Sequence, residues 1–248
     1  MTTNLTTLPE LDLPHLNERF ERLLTPEILQ WAWESFGAHA AASSSFQTQS
    51  VPLLHLISQI CPDMPVIFLD TGLHFPETLR FRDELQARFK LNIVDVRPVI
   101  GRSELAARYG VSLPEHDPDL CCYLHKVEPM QRALSEFRAW ISGTRRDQTG
   151  QRQGQAILDQ LPSGLLKIQP MLNWIKIEIN DYIEKYNLPR HPLFGQGYRS
   201  IGCAPCTQPS FAEDERAGRW AGLDKTECGL HTGLMNSTDI QVWDLAQP

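Results

Sequence analysis

The run Val66-Ile67-Phe68-Leu69, closed by Asp70-Thr71-Gly72, decides the architecture. A continuous apolar run of this length suits a strand buried on both faces, as inside a parallel sheet. Pro76 then opens a helix with Phe81, Leu85 and Phe89 four residues apart, and Ile93 to Val96 reads as the next strand. The alternation holds in both directions. Upstream, Thr25-Pro26 starts a helix, threonine as cap and proline at the first helical position. It carries Ile28, Leu29, Trp31, Ala32 and Phe36 as far as Gly37. An Ala-rich segment follows as a small-residue strand, then a helix with Leu53, Leu54, Ile57 and Ile60 at helical spacing. Downstream, Ser103 to Tyr109 and a segment from Pro118 are helical, the latter burying Val127, Met130, Leu134 and Phe137. Ala139 to Ser142 and Leu165 to Ile168 are strands, and Ile179, Tyr182, Ile183 and Tyr186 mark a last helix. The expectation is an α/β fold, a mainly parallel sheet with helices on both faces. Residues 1–248 are expected to form one domain, with 1–13 a loose tail and 207–248 a C-terminal segment over the active site.

Composition narrows the partners. The 248 residues carry a formal net charge of −7, which argues against non-specific nucleic-acid binding. An anionic substrate therefore needs a local basic patch. Met1 to Asp12 is polar and Thr-rich rather than a signal peptide, and no apolar run approaches the ~20 residues of a membrane span. Six cysteines without a signal point to reduced thiols, metal or redox work in the cytoplasm rather than a disulfide framework.

In such sheets the loops at the strand C-terminal ends form the ligand crevice. That rule sets Ser43-Ser44-Ser45-Phe46-Gln47-Thr48-Gln49-Ser50 beside Asp70-Thr71-Gly72. Hydroxyls and free N–H groups at a helix N-terminus make an anion site; the plainer reading is a Ser-rich capping loop. Gly-Lys-Ser/Thr is absent, so a Walker-type phosphate loop is excluded. Arg145 and Arg146 follow the strand at Ala139 and suit a sulfate or phosphate clamp, or simply a basic surface loop.

Chemistry concentrates in the cysteines. Cys203-Ala204-Pro205-Cys206 turns two thiols the same way, and Cys121-Cys122 supplies a second pair. A disulfide is disfavoured by compartment and by strain between neighbours. Zinc remains open; the adjacent pair favours an iron–sulfur cluster, which takes four thiolates. Lys126 lies four residues after Cys122, where a cation compensates thiolate charge. Cys228 stands apart, between Glu227 and Gly229, with His231, Arg216 and Arg219 near in sequence. Cationic neighbours raise a thiol's thiolate fraction.

Taken together, these motifs resemble the assimilatory sulfonucleotide reductases, in particular the thioredoxin-dependent adenylyl-sulfate (APS) reductases that carry a 4Fe–4S cluster. The resemblance runs from about Trp31 to His231. Besides the stretches above it takes in Lys126-Val127-Glu128-Pro129, Gly143 to Asp147, Ser200 to Thr207, Arg216-Ala217-Gly218-Arg219-Trp220 and Glu227 to His231. It implies an adenine nucleotide α-hydrolase-like fold. It implies a 4Fe–4S cluster on Cys121, Cys122, Cys203 and Cys206, and Cys228 as the nucleophile on the sulfur of adenosine 5′-phosphosulfate. Lys126, Arg216, Arg219 and His231 would surround the phosphosulfate. Ser44, Ser45, Phe46, Ser50, Asp70, Thr71, Gly72, Arg145 and Arg146 would hold the nucleotide. Gln47 stands where the family commonly has Gly, so the loop's individual contacts stay open. The chain ends soon after His231, so the reductant is expected to be a separate thioredoxin or similar dithiol protein. The alternatives are the 3′-phosphorylated substrate with the same chemistry, or a non-catalytic iron–sulfur redox sensor. A nucleotide-activating ligase or RNA-thiolating enzyme would need a Ser-Gly-Gly-x-Asp-Ser loop, which is absent. Oligomeric state, homo-oligomer included, is not legible.

Overall fold

The structure, a computed structural model, describes residues 11–109, 113–223 and 225–232. Six strands form one sheet: β1 (Ala40–Ser43), β2 (Pro65–Leu69), β3 (Asn92–Val96), β4 (Ala139–Ser142), β5 (Leu158–Gln160) and β6 (Leu166–Ile168), in the order β3-β2-β1-β4-β6-β5. Every pairing is parallel except β5 with β6. β1 lies between β2 and β4, so the chain leaves it in opposite directions across the sheet. At such a switch point the loops after the two strands diverge and leave a crevice.

The period of two along the strands sorts the core into two faces. Ala40, Ala42, Val66, Phe68, Ala139 and Ile141 face one way, against α2 (Thr25–Phe36), α3 (Val51–Ile60), α4 (Pro76–Phe89) and α9 (Lys176–Lys185). Ala41, Ile67, Leu69 and Trp140 face the other, against Met130 and Leu134 of α8 (Glu128–Leu134) and Leu230. The expected α/β architecture with helices on both faces is what forms. α5 (Arg102–Tyr109), α6 (Leu113–His116) and α7 (Pro118–Cys122) belong to a smaller third cluster that includes Leu73, Cys121 and Cys203.

The first helix, the short α6 and strand β5 escaped the periodicity. Leu13–Phe20 is a helix, α1, where a tail was expected through residue 13; residues 1–10 lie outside the described residues. Asp12 caps it by accepting from His15 N–H at 3.1 Å. Asn17 then bonds both backbone groups of Leu158, at 2.9 and 2.8 Å, and so covers the β5 edge. Thr25, expected as a cap, is the first residue of α2 and donates to Pro170 C=O at 2.7 Å.

The loop after β1 is shaped by Phe46, the residue expected to touch nucleotide. Its φ is +52°, a left-handed conformation uncommon outside glycine. Ser44 Oγ accepts from Phe46 N–H at 3.0 Å, and the ring drops into the core edge-on to Phe68, centroids 5.5 Å apart. Phe46 is thus fully buried and anchors the loop from beneath. Phe46→Ala is expected to lower stability by about 3–4 kcal/mol in urea unfolding, the cost of emptying a buried aromatic site. Nucleotide affinity of the folded fraction should change little.

Candidate active site

The crevice between the ends of β1 and β4 is a cleft of ≈ 1070 Å³ including its open mouth. Ser43, Ser44, Ser45 and Ser50 line it from the first loop, Ser142, Gly143 and Thr144 from the second. Lys126, Cys203, Arg216, Arg219, Cys228 and His231 close it. Ser44, Ser45, Ser50, Lys126, Arg216, Arg219, Cys228 and His231, chosen from sequence, therefore meet at one place.

The C-terminal segment reaches the cleft through a buried ion pair. Arg152 grips Glu227 with two bonds, Nε to Oε1 at 2.8 Å and Nη2 to Oε2 at 2.6 Å. Thr149 Oγ1 donates to Oε1 at 2.6 Å, and Arg216 Nη2 reaches Oε2 at 3.4 Å. Burial opposes ionisation of Glu227, yet Arg152, Thr149 and Arg216 hold its pKa below the usual carboxylate value. Cys228 is the next residue.

Trp220 organises the cations. Its φ is +51° and its ring is buried. Arg219 lies 4.2 Å, Arg216 5.5 Å and Lys225 5.9 Å from its centroid. Stacking on an indole holds a guanidinium in place while leaving its edge free to donate. Gly202 leaves room for the Arg219 guanidinium, which any Cβ there would overlap. Arg216 Nε is buried without a hydrogen-bond partner. Burial lowers the Arg216 pKa to about 10, so it stays charged at neutral pH.

Around Cys228 these charges act on the thiol. The Cys122 thiol donates to Cys228 Sγ; burial opposes ionisation, while Lys126, Leu230 N–H and Arg219 favour it. The net result is a thiol pKa well below its ordinary value, which raises the thiolate fraction. Lys126 sits in a π-helical turn, Tyr123–Val127, continuing α7. Burial works against its charge, but Cys203, Cys228 and Cys122 raise its pKa above the ordinary lysine value. Burial holds His231 well below its usual pKa, hence neutral.

Other expected residues lie elsewhere. Asp70 pairs with Arg97 at 2.9 Å and accepts from Gly72 N–H at 3.1 Å, closing the turn after β2 in which Gly72 has φ +68°. Thr71 is buried with its Oγ1 3.4 Å from Cys203 Sγ. Arg145 is 2 % exposed and tied to Asp147 at 2.9 Å and Gln49 at 2.8 Å. Arg146 points away, to Glu21 at 2.6 Å and Gln155 C=O at 2.8 Å. None of the five residues Asp70, Thr71, Gly72, Arg145 and Arg146 lines the cleft, nor does Phe46. Gln47 does, and its side-chain oxygen accepts from Ile201 N–H at 2.9 Å, joining the first loop to the Cys203 segment. Sequence reading missed Arg152, Thr144 and His74, which also line it. The Arg152 signal was a third arginine after the 145–146 pair.

Residues 39–209 match the family described as Phosphoadenosine phosphosulfate reductase domain. The chain belongs to that family. It is 42% identical over 207 residues to adenosine 5′-phosphosulfate reductase of Streptomyces coelicolor, covering 83% of this chain and 87% of that protein. It is 40% identical over 225 residues to the same-named protein of Halalkalibacterium halodurans, covering 90% and 97%. The solved phosphoadenylyl-sulfate reductase of Candida auris superposes with a TM-score of 0.70 at 31% identity, covering 80% of this chain and 97% of that one. Candida glabrata FMN adenylyltransferase, at TM-score 0.55 and 16% identity over 83% of this chain and 67% of that one, shares the fold alone.

The four paired cysteines are all buried. The Cys203–Cys206 turn is held by Ala204 N–H on Leu73 C=O at 2.7 Å. Burial, with Cys203 and Cys206 close by, pushes the Cys121 thiol up to about 12, whereas Lys126 and Lys225 act to lower it. Three thiols sharing one buried space, with cations beside them, are the donor chemistry of a thiolate-held metal centre. Among the described residues, no group of three or more His, Cys, Asp or Glu side chains stands ready to hold a metal ion, and Cys122 turns to Cys228. The donor set fits a cluster, but the four thiols are not drawn together around one.

Because Cys228 has a depressed pKa, its thiolate persists above that value and is lost as pH falls through it. The rate at which iodoacetamide modifies Cys228 should therefore begin to fall at a lower pH than for an ordinary thiol. Lys126→Gln should move that profile to higher pH. Cys61, pushed up to about 12 by burial, should stay unmodified throughout.

Proposed function

We propose that this chain reduces adenosine 5′-phosphosulfate to sulfite and AMP in sulfate assimilation, through a sulfonate carried on Cys228. One observation carries the reading: Cys228 shares the switch-point cleft with Lys126, Arg152, Arg216 and Arg219, and Lys126 and Arg219 favour its thiolate. The relatives named adenosine 5′-phosphosulfate reductase, alike over most of their length, support the choice of substrate.

The adenosine end takes the crevice between Ser43–Ser45 and Ser142–Thr144. The phosphosulfate lies toward the cations. Cys228 Sγ attacks the sulfate sulfur, the sulfur–oxygen bond to phosphate breaks, and AMP departs with that electron pair. Lys126, Arg216 and Arg219 offset the repulsion between thiolate and sulfate, and the charge growing on the leaving phosphate. Neutral His231 offers an N–H to the same group. A dithiol protein of the thioredoxin kind then attacks Cys228 Sγ. Sulfite leaves with the sulfur–sulfur bonding pair, and the second thiol of that protein frees Cys228 as its own disulfide forms.

Cys121, Cys122, Cys203 and Cys206 are the residues that would hold a 4Fe–4S cluster. When bound, it would neutralise the thiolate charge of the four cysteines and tie α7 to the Cys203–Cys206 turn. Anaerobically purified protein should be brown and contain iron and acid-labile sulfide, both lost in Cys203→Ser. Stoichiometric zinc without sulfide would overturn the cluster.

Mixed with substrate and no reductant, the protein should release AMP once and retain sulfonate on Cys228. Reduced dithiol should then liberate sulfite, and Cys228→Ser should bind nucleotide yet form no adduct. Peptide mass spectrometry placing the sulfonate on another cysteine would sink the mechanism. A higher kcat/KM for the 3′-phosphorylated nucleotide would change the substrate and leave the chemistry intact.

A further inference from the structure

One buried charge under the cleft has no part in the steps above. Lys167 on β6 is 6 % exposed, and its Nζ stands 5.5 Å from the centroid of Trp140, its register partner on β4. The Trp140 ring lies parallel to the His231 ring, 5° between planes and 6.5 Å between centroids. Its indole N–H donates to Ser43 Oγ at 2.8 Å, so the ring is held at its edge as well. Among the described residues Lys167 has no carboxylate within ion-pair distance; Asp159, its register partner on β5, and Glu227 act on it only from farther away. An ammonium buried without a paired anion is costly, and an apolar residue on β6 would avoid that cost. The indole face is the compensation the structure provides.

We propose that Lys167 is a positioning residue for the reaction at Cys228, acting through the Trp140 indole on the orientation and protonation of His231. It does not touch substrate. The proposal rests on the role given to His231 above.

The electrostatics agree with the geometry. Burial holds His231 neutral, and Arg152 from the turn after β4, Lys167 from β6, Arg216 from the C-terminal segment and Lys126 from the π turn all push the same way. Lys167 is itself brought down to about 8 by burial, with Arg152 adding to the effect and Asp159 and Glu227 opposing it. The sign follows. Below pH 8 Lys167 is charged and holds the indole; as pH rises through about 8 it loses its proton and the hold weakens.

The test uses the full chain as purified, with Lys167→Met and Lys167→Arg. Two readouts are taken: the His231 pKa, by NMR of histidine-labelled protein assigned with His231→Asn, and the single-turnover rate of AMP release against pH. In Lys167→Met the His231 pKa should rise by about 0.5–1 unit, and the rate should fall about tenfold at pH 7. In Lys167→Arg, charged at every pH used, both should stay near wild type at pH 7, and the fall in rate expected of wild type above pH 8 should be absent. A folded Lys167→Met with His231 pKa and rate within about twofold of wild type overturns the proposal. So does a Lys167→Arg profile that falls above pH 8 like wild type, which decides the matter even if the Met variant does not fold. Absence of AMP release from wild type would instead sink the reaction, and the NMR titration would still decide whether Lys167 acts on His231.

Discussion

The buried pair of Arg152 and Glu227 is the contact on which the site depends. It joins a segment that, among the described residues, holds only a 3-10 turn at Gly229–His231 to the turn after β4, through two short bonds at 2.8 and 2.6 Å. A buried pair adds little to net stability when compared with an apolar substitute, but loss of one partner strands a charge. Its effect here is positional. Glu227 comes directly before Cys228, so wherever Glu227 is held, the thiol is delivered to the mouth of the crevice. Without that anchor the thiol would depend on Leu230, packed against the core, and on the His231 ring parallel to Trp140.

The second constraint is charge. A chain of net charge −7 must gather cations locally to hold a sulfated nucleotide. Arg216, Arg219 and Lys225 gather about one indole, Trp220, and Lys126 stands in the π turn beside the cysteines. Those cations also favour the Cys228 thiolate, so in the proposed reaction substrate binding and nucleophile activation would have the same source. Glu227 offsets part of that charge and keeps Arg152 and Arg216 from repelling each other.

The paired cysteines and Cys228 are neighbours rather than separate features. Lys126 feels Cys203, Cys228 and Cys122 at once. Thr71 links the turn after β2 to Cys203, which accounts for its position without a nucleotide contact. Arg145 and Arg146 likewise bind the protein itself: one fixes the turn at Asp147, the other joins α1 through Glu21.

Much of this was written in the sequence. Apolar runs and their spacing determined β2, β4 and the helices between them, because burial on both faces of a strand leaves a continuous apolar run and burial of one helix face leaves a period; β3 was legible from its short apolar run although only Val96 is buried. The paired cysteine spacing with Lys126 one turn away was legible as chemistry, as was Cys228, because a polar stretch beside glycine is a poor place for a core residue; the 216–220 motif was legible through the family resemblance. β5 was not, since three residues with a single buried leucine carry no period. The direction of a polar side chain was not legible either. Phe46 turned inward because its backbone adopts a positive φ, Arg145 and Arg146 found carboxylates on distant elements, and Arg152 found Glu227 seventy-five positions away. Sequence determined which groups were available; only the strand order that puts β1 beside β4, and the pairings made across it, decided which of them face the cleft.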